Sequence, residues 1–104
     1  MIRKSFVMSV QAGLEGEYQR RHRELWPELR SVLKTHGVSN YSIFLLPQTG
    51  QLFAYVEIED EARWQAIAAT DVCRRWWWYM AEIMPHNSDH SPVAAELTEV
   101  FHLP

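Results

Sequence analysis

His22 and Tyr18 are the two residues whose types and spacing point most directly to chemistry. Four apart on a helix, they share a face and can touch, which sets two groups able to move or share a proton side by side. Counting ~100° per residue from Leu14, Leu25 falls at ~20°, Tyr18 at ~40°, Leu29 at ~60°, His22 at ~80° and Val32 back at ~0°, so both belong to an otherwise apolar stripe. A histidine in that position has two readings. It is a core residue hydrogen-bonded to Tyr18 or to a backbone carbonyl, or it is an acid/base whose pKa near neutrality serves proton transfer in a cleft.

The run Arg74-Arg75-Trp76-Trp77-Trp78-Tyr79 adds a second feature. On a helix, Val72, Trp76, Tyr79 and Ile83 form one row and Cys73, Trp77, Met80 and Met84 the next, an apolar face too wide for simple amphipathic packing. At least one Trp is expected to line a cavity. Flat aromatic rings suit sugars, whose C–H patches pack on the ring while the hydroxyls bond at the edge. The alternative is that all three tryptophans are core or interface, and Trp78, beside the strongest row, is assigned to the surface or an interface. His86, Asp89 and His90 have some of the makings of a metal site, but Asn87, Ser88, Ser91 and Pro92 make the segment a loop, so no metal is expected. His36 adjoins Gly37, where a His stabilises a helix C-terminus, and it is left outside the site. No GxSxG, phosphate-binding glycine run or CxxC occurs.

The elements that position these residues follow from periodicity. Residues 2–10 alternate Ile2, Lys4, Phe6, Met8 and Val10 against Arg3, Ser5, Val7 and Ser9, as a strand does. A helix is expected from Leu14 to His36 with Gly37 as its left-handed cap, and Pro27 should kink or break it. Residues 41–46 and 51–58 read as a hairpin about the turn Pro47-Gln48-Thr49-Gly50. Asp60 caps a short helix through about Ala69, Thr70 or Asp71 caps another to Met84, residues 85–92 form a loop, and 96–103 return to strand-like alternation. This order predicts an α+β, ferredoxin-like βαββαβ unit with one antiparallel sheet. Both sheet faces are apolar: Tyr41, Ile43 and Leu45 oppose Phe44 and Leu46, and Leu52, Ala54, Val56 and Ile58 oppose Phe53 and Tyr55. The helices suffice for one face, so a second copy is expected on the other, giving a homodimer built as a dimeric α+β barrel.

At 104 residues the chain is one domain, 1–104, and 47% hydrophobic with 22% charged residues excludes disorder. Ten Lys plus Arg against thirteen Asp plus Glu leave a net charge of −3, no footprint for nucleic acid. Arg20, Arg21 and Arg23 are interleaved with Glu15, Glu17, Glu24 and Glu28 and read as a solvated helix face. The single cysteine, Cys73, allows no internal disulfide, and no apolar run approaches the ~20 residues a membrane span needs, so a cytoplasmic protein is expected.

The segments His22-Arg23-Glu24-Leu25-Trp26-Pro27-Glu28-Leu29, Asn40-Tyr41-Ser42-Ile43, Arg75-Trp76-Trp77, Met84-Pro85, Ser91-Pro92-Val93 and Phe101-His102-Leu103-Pro104 resemble those of the L-rhamnose mutarotase family. The resemblance covers the whole chain. It implies a dimeric α+β barrel that interconverts the α and β anomers of L-rhamnose without cofactor, with His22 as acid/base and Tyr18, Tyr41, Trp76 and Trp77 contacting the sugar. The loop Asn87-Ser88-Asp89-His90-Ser91-Pro92 differs from the family's usual Asn-Pro-Asp-Asn-Ser-Pro. The expected chemistry opens the ring to the aldehyde and recloses it on the other face of C1, with His22 donating to the ring oxygen and the indoles receiving the C6 methyl. Two rival functions share these residues: a cofactor-free oxygenase on the same fold, and a sugar-binding module that does no chemistry.

Overall fold

A computed structural model describes residues 1–104. The alternation at the start of the chain becomes β1 (Ile2–Ser9), and the expected long helix becomes two, α1 (Glu15–Arg23) and α2 (Pro27–Thr35). The break follows from Pro27. Its ring excludes helical geometry from the residue before it, so Trp26 sits extended at φ −60°, ψ 132° while Pro27 takes the first position of α2, where a missing amide hydrogen costs nothing. Gly37 at φ +80° then turns the chain out of α2, donating its amide to Lys34 O.

The hairpin is β2 (Val38–Leu46) and β3 (Gln51–Ile58), with β2 beginning three residues earlier than the alternation suggested. Its turn closes with Gly50 N donating to Leu46 O at 2.9 Å. Two short helices follow, α3 (Glu61–Ile67), capped by the Asp60 carboxylate on Arg63 N, and α4 (Asp71–Met80), capped by Thr70 on Cys73 N. α4 stops four residues short of Met84. Ile83 N bonds Met80 O in a tighter turn, and Pro85 bars Met84 from the helical region.

The strand after the loop is much shorter than expected: β4 is Ala95–Leu97, paired antiparallel with Ser5–Val7. Beyond it the tail has no regular structure, and Val100, Phe101 and Leu103 are 92%, 78% and 78% exposed. The alternation there has no buried face to serve, so it builds no ladder. One side-chain pair, Arg3 with Glu99 at 3.0 and 3.1 Å, holds the tail beside β1 instead.

The sheet order is β2-β3-β1-β4, all antiparallel, as the ferredoxin-like unit requires. All four helices lie on one face. Beneath them Leu52, Ala54, Val56 and Ile58 of β3 are almost completely buried, joined by Met8 and Val10. The opposite face carries Val7, Phe44, Phe53, Tyr55 and Leu97 with nothing packed over it, and Phe44 is 68% exposed.

β2 and β3 are out of step at one point. Ser39 pairs Glu57 and Ser42 pairs Tyr55, so Asn40 and Tyr41 together oppose Val56. This bulge inverts the alternation within β2 and brings Val38 and Tyr41 to the same, helix-covered face.

Gly50 gives a direct test of the hairpin. Its φ is +77°, and a Cβ there would lie 2.9 Å from Val10 O, the residue whose amide donates to Gly50 O. Gly50→Ala should lower the unfolding free energy by about 1–3 kcal/mol through backbone strain, measured by urea denaturation; an unchanged midpoint refutes the strain.

Candidate active site

Between the helix-covered sheet face and the helices lies a cavity of about 1010 Å³, at the top of the range of about 300–1,000 Å³ usual for small-molecule sites. α1 contributes Tyr18 and His22 to its wall, β2 Tyr41, and α4 Trp76 and Trp77. The structure thus brings together all five residues singled out in the sequence. Phe6 and Met8 from β1, Leu52 from β3, Trp64 from α3 and Pro92 from the loop complete an apolar lining.

His22 Nδ1 lies 3.0 Å from the Tyr18 carbonyl oxygen. A carbonyl only accepts, so Nδ1 carries the proton, and in the neutral ring Nε2 keeps its lone pair. Nε2 has no protein partner, and no buried side-chain nitrogen or oxygen lacks one, so Nε2 is open to the cavity that His22 lines. One nitrogen is thus satisfied by a backbone carbonyl, as the core reading expects, and the other is unbonded. The ring stacks on Tyr18 at 4.3 Å and 28° and meets Trp76 edge-to-face at 5.4 Å and 88°. Desolvation among these rings lowers the imidazole pKa below its ordinary 6.5, with the Tyr18 carbonyl pulling weakly the other way. At neutral pH the ring rests uncharged, a base before it is an acid.

The phenols behave differently. Tyr18 is 7% exposed, and its hydroxyl has no protein partner, so it too opens into the cavity. Burial drives its pKa well above the ordinary tyrosine value, with Tyr41 adding to the shift. Tyr41 is 37% exposed, yet burial about its hydroxyl raises its pKa as well, and the Cys73 thiol contributes. Both tyrosines stay protonated and present hydrogen-bond donors. The Cys73 thiol, pushed up to about 11 by burial, is inert as a nucleophile.

The expectation that the Arg20, Arg21 and Arg23 face is wholly solvated fails at Arg21, which is 8% exposed. Its guanidinium stacks over the Tyr79 ring at 3.9 Å, donates to Tyr79 O at 2.7 Å, and pairs with Glu17 at 2.7 Å and Glu82 at 2.9 Å. Five fixed donors let one side chain tie α1 to α4, which a lysine cannot do. Trp26 then packs on Tyr79 at 5.6 Å and on Trp76 at 5.1 Å. Sequence spacing placed Arg21 among acidic neighbours, and only the docking of α4 buries it.

Other wall residues went unnoticed in the sequence. Lys4 sits on the inward face of β1 and forms a polar margin with Glu61 at 3.0 Å and Glu96 at 3.2 Å. Its place in the alternation of Phe6, Met8 and Val10 was the available signal. Phe6 and Trp64 flank Tyr41 at 6.4 and 6.3 Å. His86 and His90 stack on each other at 5.5 Å and 18° in the loop, with His86 Nδ1 turned to Met84 O and Asp89 accepting from Ser91. No group of three or more His, Cys, Asp or Glu, this one included, is arranged so that it could hold a metal ion. Trp78 is a surface residue, 68% exposed. His36 caps α2 by contact with Val32 O at 2.7 Å, away from the cavity.

The family model described as L-rhamnose mutarotase matches residues 3–103. A protein of Opitutus terrae named L-rhamnose mutarotase is 70% identical over 103 residues, 99% of each chain. The crystal structure of an L-rhamnose mutarotase from Formosa agariphila superposes with a TM-score of 0.92 at 39% identity over the whole of both chains. An antibiotic biosynthesis monooxygenase superposes with a TM-score of 0.65 at 15% identity over 96% of this chain and 99% of its own, a likeness of fold alone. Matched along nearly its entire length in sequence and in backbone path, the chain belongs to the L-rhamnose mutarotase family.

Proposed function

We propose that this protein interconverts the α and β anomers of L-rhamnose by acid/base ring opening and reclosure, and that His22 carries the proton. The observation that bears most weight is the imidazole with Nδ1 held by the Tyr18 carbonyl and Nε2 free in an aromatic cavity. Neutral at rest, Nε2 takes the proton from the anomeric hydroxyl. The imidazolium then gives that proton to the ring oxygen, which is bonded to the same carbon, as the bond from C1 to the ring oxygen breaks. The donation to the ring oxygen expected from the sequence is thus the second half of the residue's task. Rotation about C1–C2 and reversal of the same two transfers close the ring on the other face.

Tyr18 and Tyr41 remain phenols throughout and hold sugar hydroxyls by donating to them. Trp76 and Trp77 offer flat apolar walls to the C–H face and to the C6 methyl, which gains from leaving water. Uncatalysed mutarotation proceeds in water, so one positioned acid/base together with orientation accounts for the task, and the cycle as written requires no cofactor.

The functional unit is a homodimer. The uncovered sheet face with Phe44, Phe53, Val7 and Leu97 supports this reading, since apolar rings on one surface of a small sheet favour burial against a second copy. No helix is long and apolar enough to cross a membrane, and the one buried thiol suits the reducing cytoplasm.

Substitutions, pH dependence and sedimentation test these statements. His22→Ala should lower the rate of α/β exchange, followed by NMR, by about 10²–10⁴-fold while the protein stays folded. In the wild type, kcat/KM should fall on the acid side with an apparent pKa below 6.5. Stability should fall there too, because below 6.5 the unfolded chain takes up a proton that the buried ring resists. An unaltered exchange rate in His22→Ala removes the acid/base assignment, and oxygen uptake with a quinol would favour the oxygenase instead. Trp77→Ala should raise KM for L-rhamnose by about tenfold or more and change kcat less; an unchanged KM rules out the stacking role. Phe44→Glu should convert a sedimenting dimer into a folded monomer, whereas a wild-type protein that sediments as a monomer contradicts the assembly.

A further inference from the structure

Tyr41 reaches the cavity only because β2 carries an extra residue. Asn40, immediately before it, has φ 48°, a left-handed conformation that is uncommon outside glycine and that Asn tolerates better than most residues. Its side chain turns to the open face of the sheet, where Nδ2 donates to Glu57 Oε1 at 2.9 Å. The other carboxylate oxygen of Glu57 accepts from the Tyr55 hydroxyl at 2.8 Å. These two bonds hold the carboxylate below its ordinary pKa, as a charged acceptor.

We infer that Asn40 is a positioning residue for the mutarotase site: its left-handed backbone, anchored through Glu57 on the open face, aims Tyr41 at the substrate on the covered face. The register carries the argument. Ser39 opposes Glu57 and Ser42 opposes Tyr55, so Val56 faces two residues, and uninterrupted alternation from the buried Val38 would turn Tyr41 to the open side. With the bulge in place Tyr41 instead packs against Phe6 at 6.4 Å and Trp64 at 6.3 Å. Backbone strain kept beside a binding group is a means of placing that group, and here the strained residue touches no part of the cavity itself.

The inference rests on Tyr41 contacting the sugar, and the test separates the two. Asn40→Val, whose branched side chain disfavours positive φ, should raise KM for L-rhamnose at least tenfold with little change in kcat. Asn40→Gly, which keeps the left-handed backbone, should restore most of the wild-type KM. In a Tyr41→Phe background, Asn40→Val should add less than twofold, because the hydroxyl it positions is already gone. Where Asn40→Val does not fold, Asn40→Ala carries the same comparisons. Nuclear Overhauser contacts between the Tyr41 and Phe6 rings, 6.4 Å apart, should appear in the wild type and vanish in the substituted protein. Equal effects of the Asn40 substitution in both backgrounds, or ring contacts that persist unchanged, overturn the inference. A wild-type KM in Tyr41→Phe alone removes the sugar contact instead, and the ring contacts then still decide whether Asn40 directs Tyr41.

Discussion

One hydrogen bond organises the site: the Nδ1–H of His22 donated to the carbonyl of Tyr18 one turn earlier in α1. It chooses the tautomer and leaves a single lone pair, on Nε2, facing the cavity. The aromatic surroundings complete the effect, since a charged imidazole among Tyr18, Trp76 and the cavity wall would lose hydration that nothing there replaces. With its pKa held below the ordinary value, the neutral ring keeps a lone pair that can take a proton and give it back. That reversibility matters for a reaction whose two directions matter equally.

The phenols and the imidazole are tuned in complementary ways by the same burial. Desolvation raises Tyr18 and Tyr41 and lowers His22, so at neutral pH all three groups are uncharged. The cavity therefore offers hydrogen bonds without fixed charge, which suits a neutral ligand. Charge is kept to its margin, where Lys4 is paired with Glu61 and Glu96, and to the seam between α1 and α4, where Arg21 is fully engaged.

The two faces of the sheet are linked in purpose. The covered face forms the cavity floor, while the open face holds the apolar rings available to a second copy and the Asn40–Glu57–Tyr55 bonds beneath the bulge. The bulge that turns Tyr41 to the cavity is thus bonded on the opposite side of the sheet. A strand alternates its side chains by default, and one inserted residue is enough to override that default locally.

Local pattern was sufficient for much of this. The alternation of β1 and β3, the cap at Asp60, Gly37 at the end of α2, and the break at Pro27 all arise from interactions within a few residues, and they are legible for that reason. So is the i,i+4 contact of Tyr18 with His22, because both lie on one uninterrupted helix. What tertiary structure alone decided lies where distant segments meet. The burial of Arg21 needed α4 beside α1. The inward turn of Tyr41 needed the register of β3, and the shortening of β4 followed from a tail with no surface to cover. Periodicity reports which side of an element is apolar. Which of those sides meet, and how much empty space they leave between them, depends on packing across the whole chain.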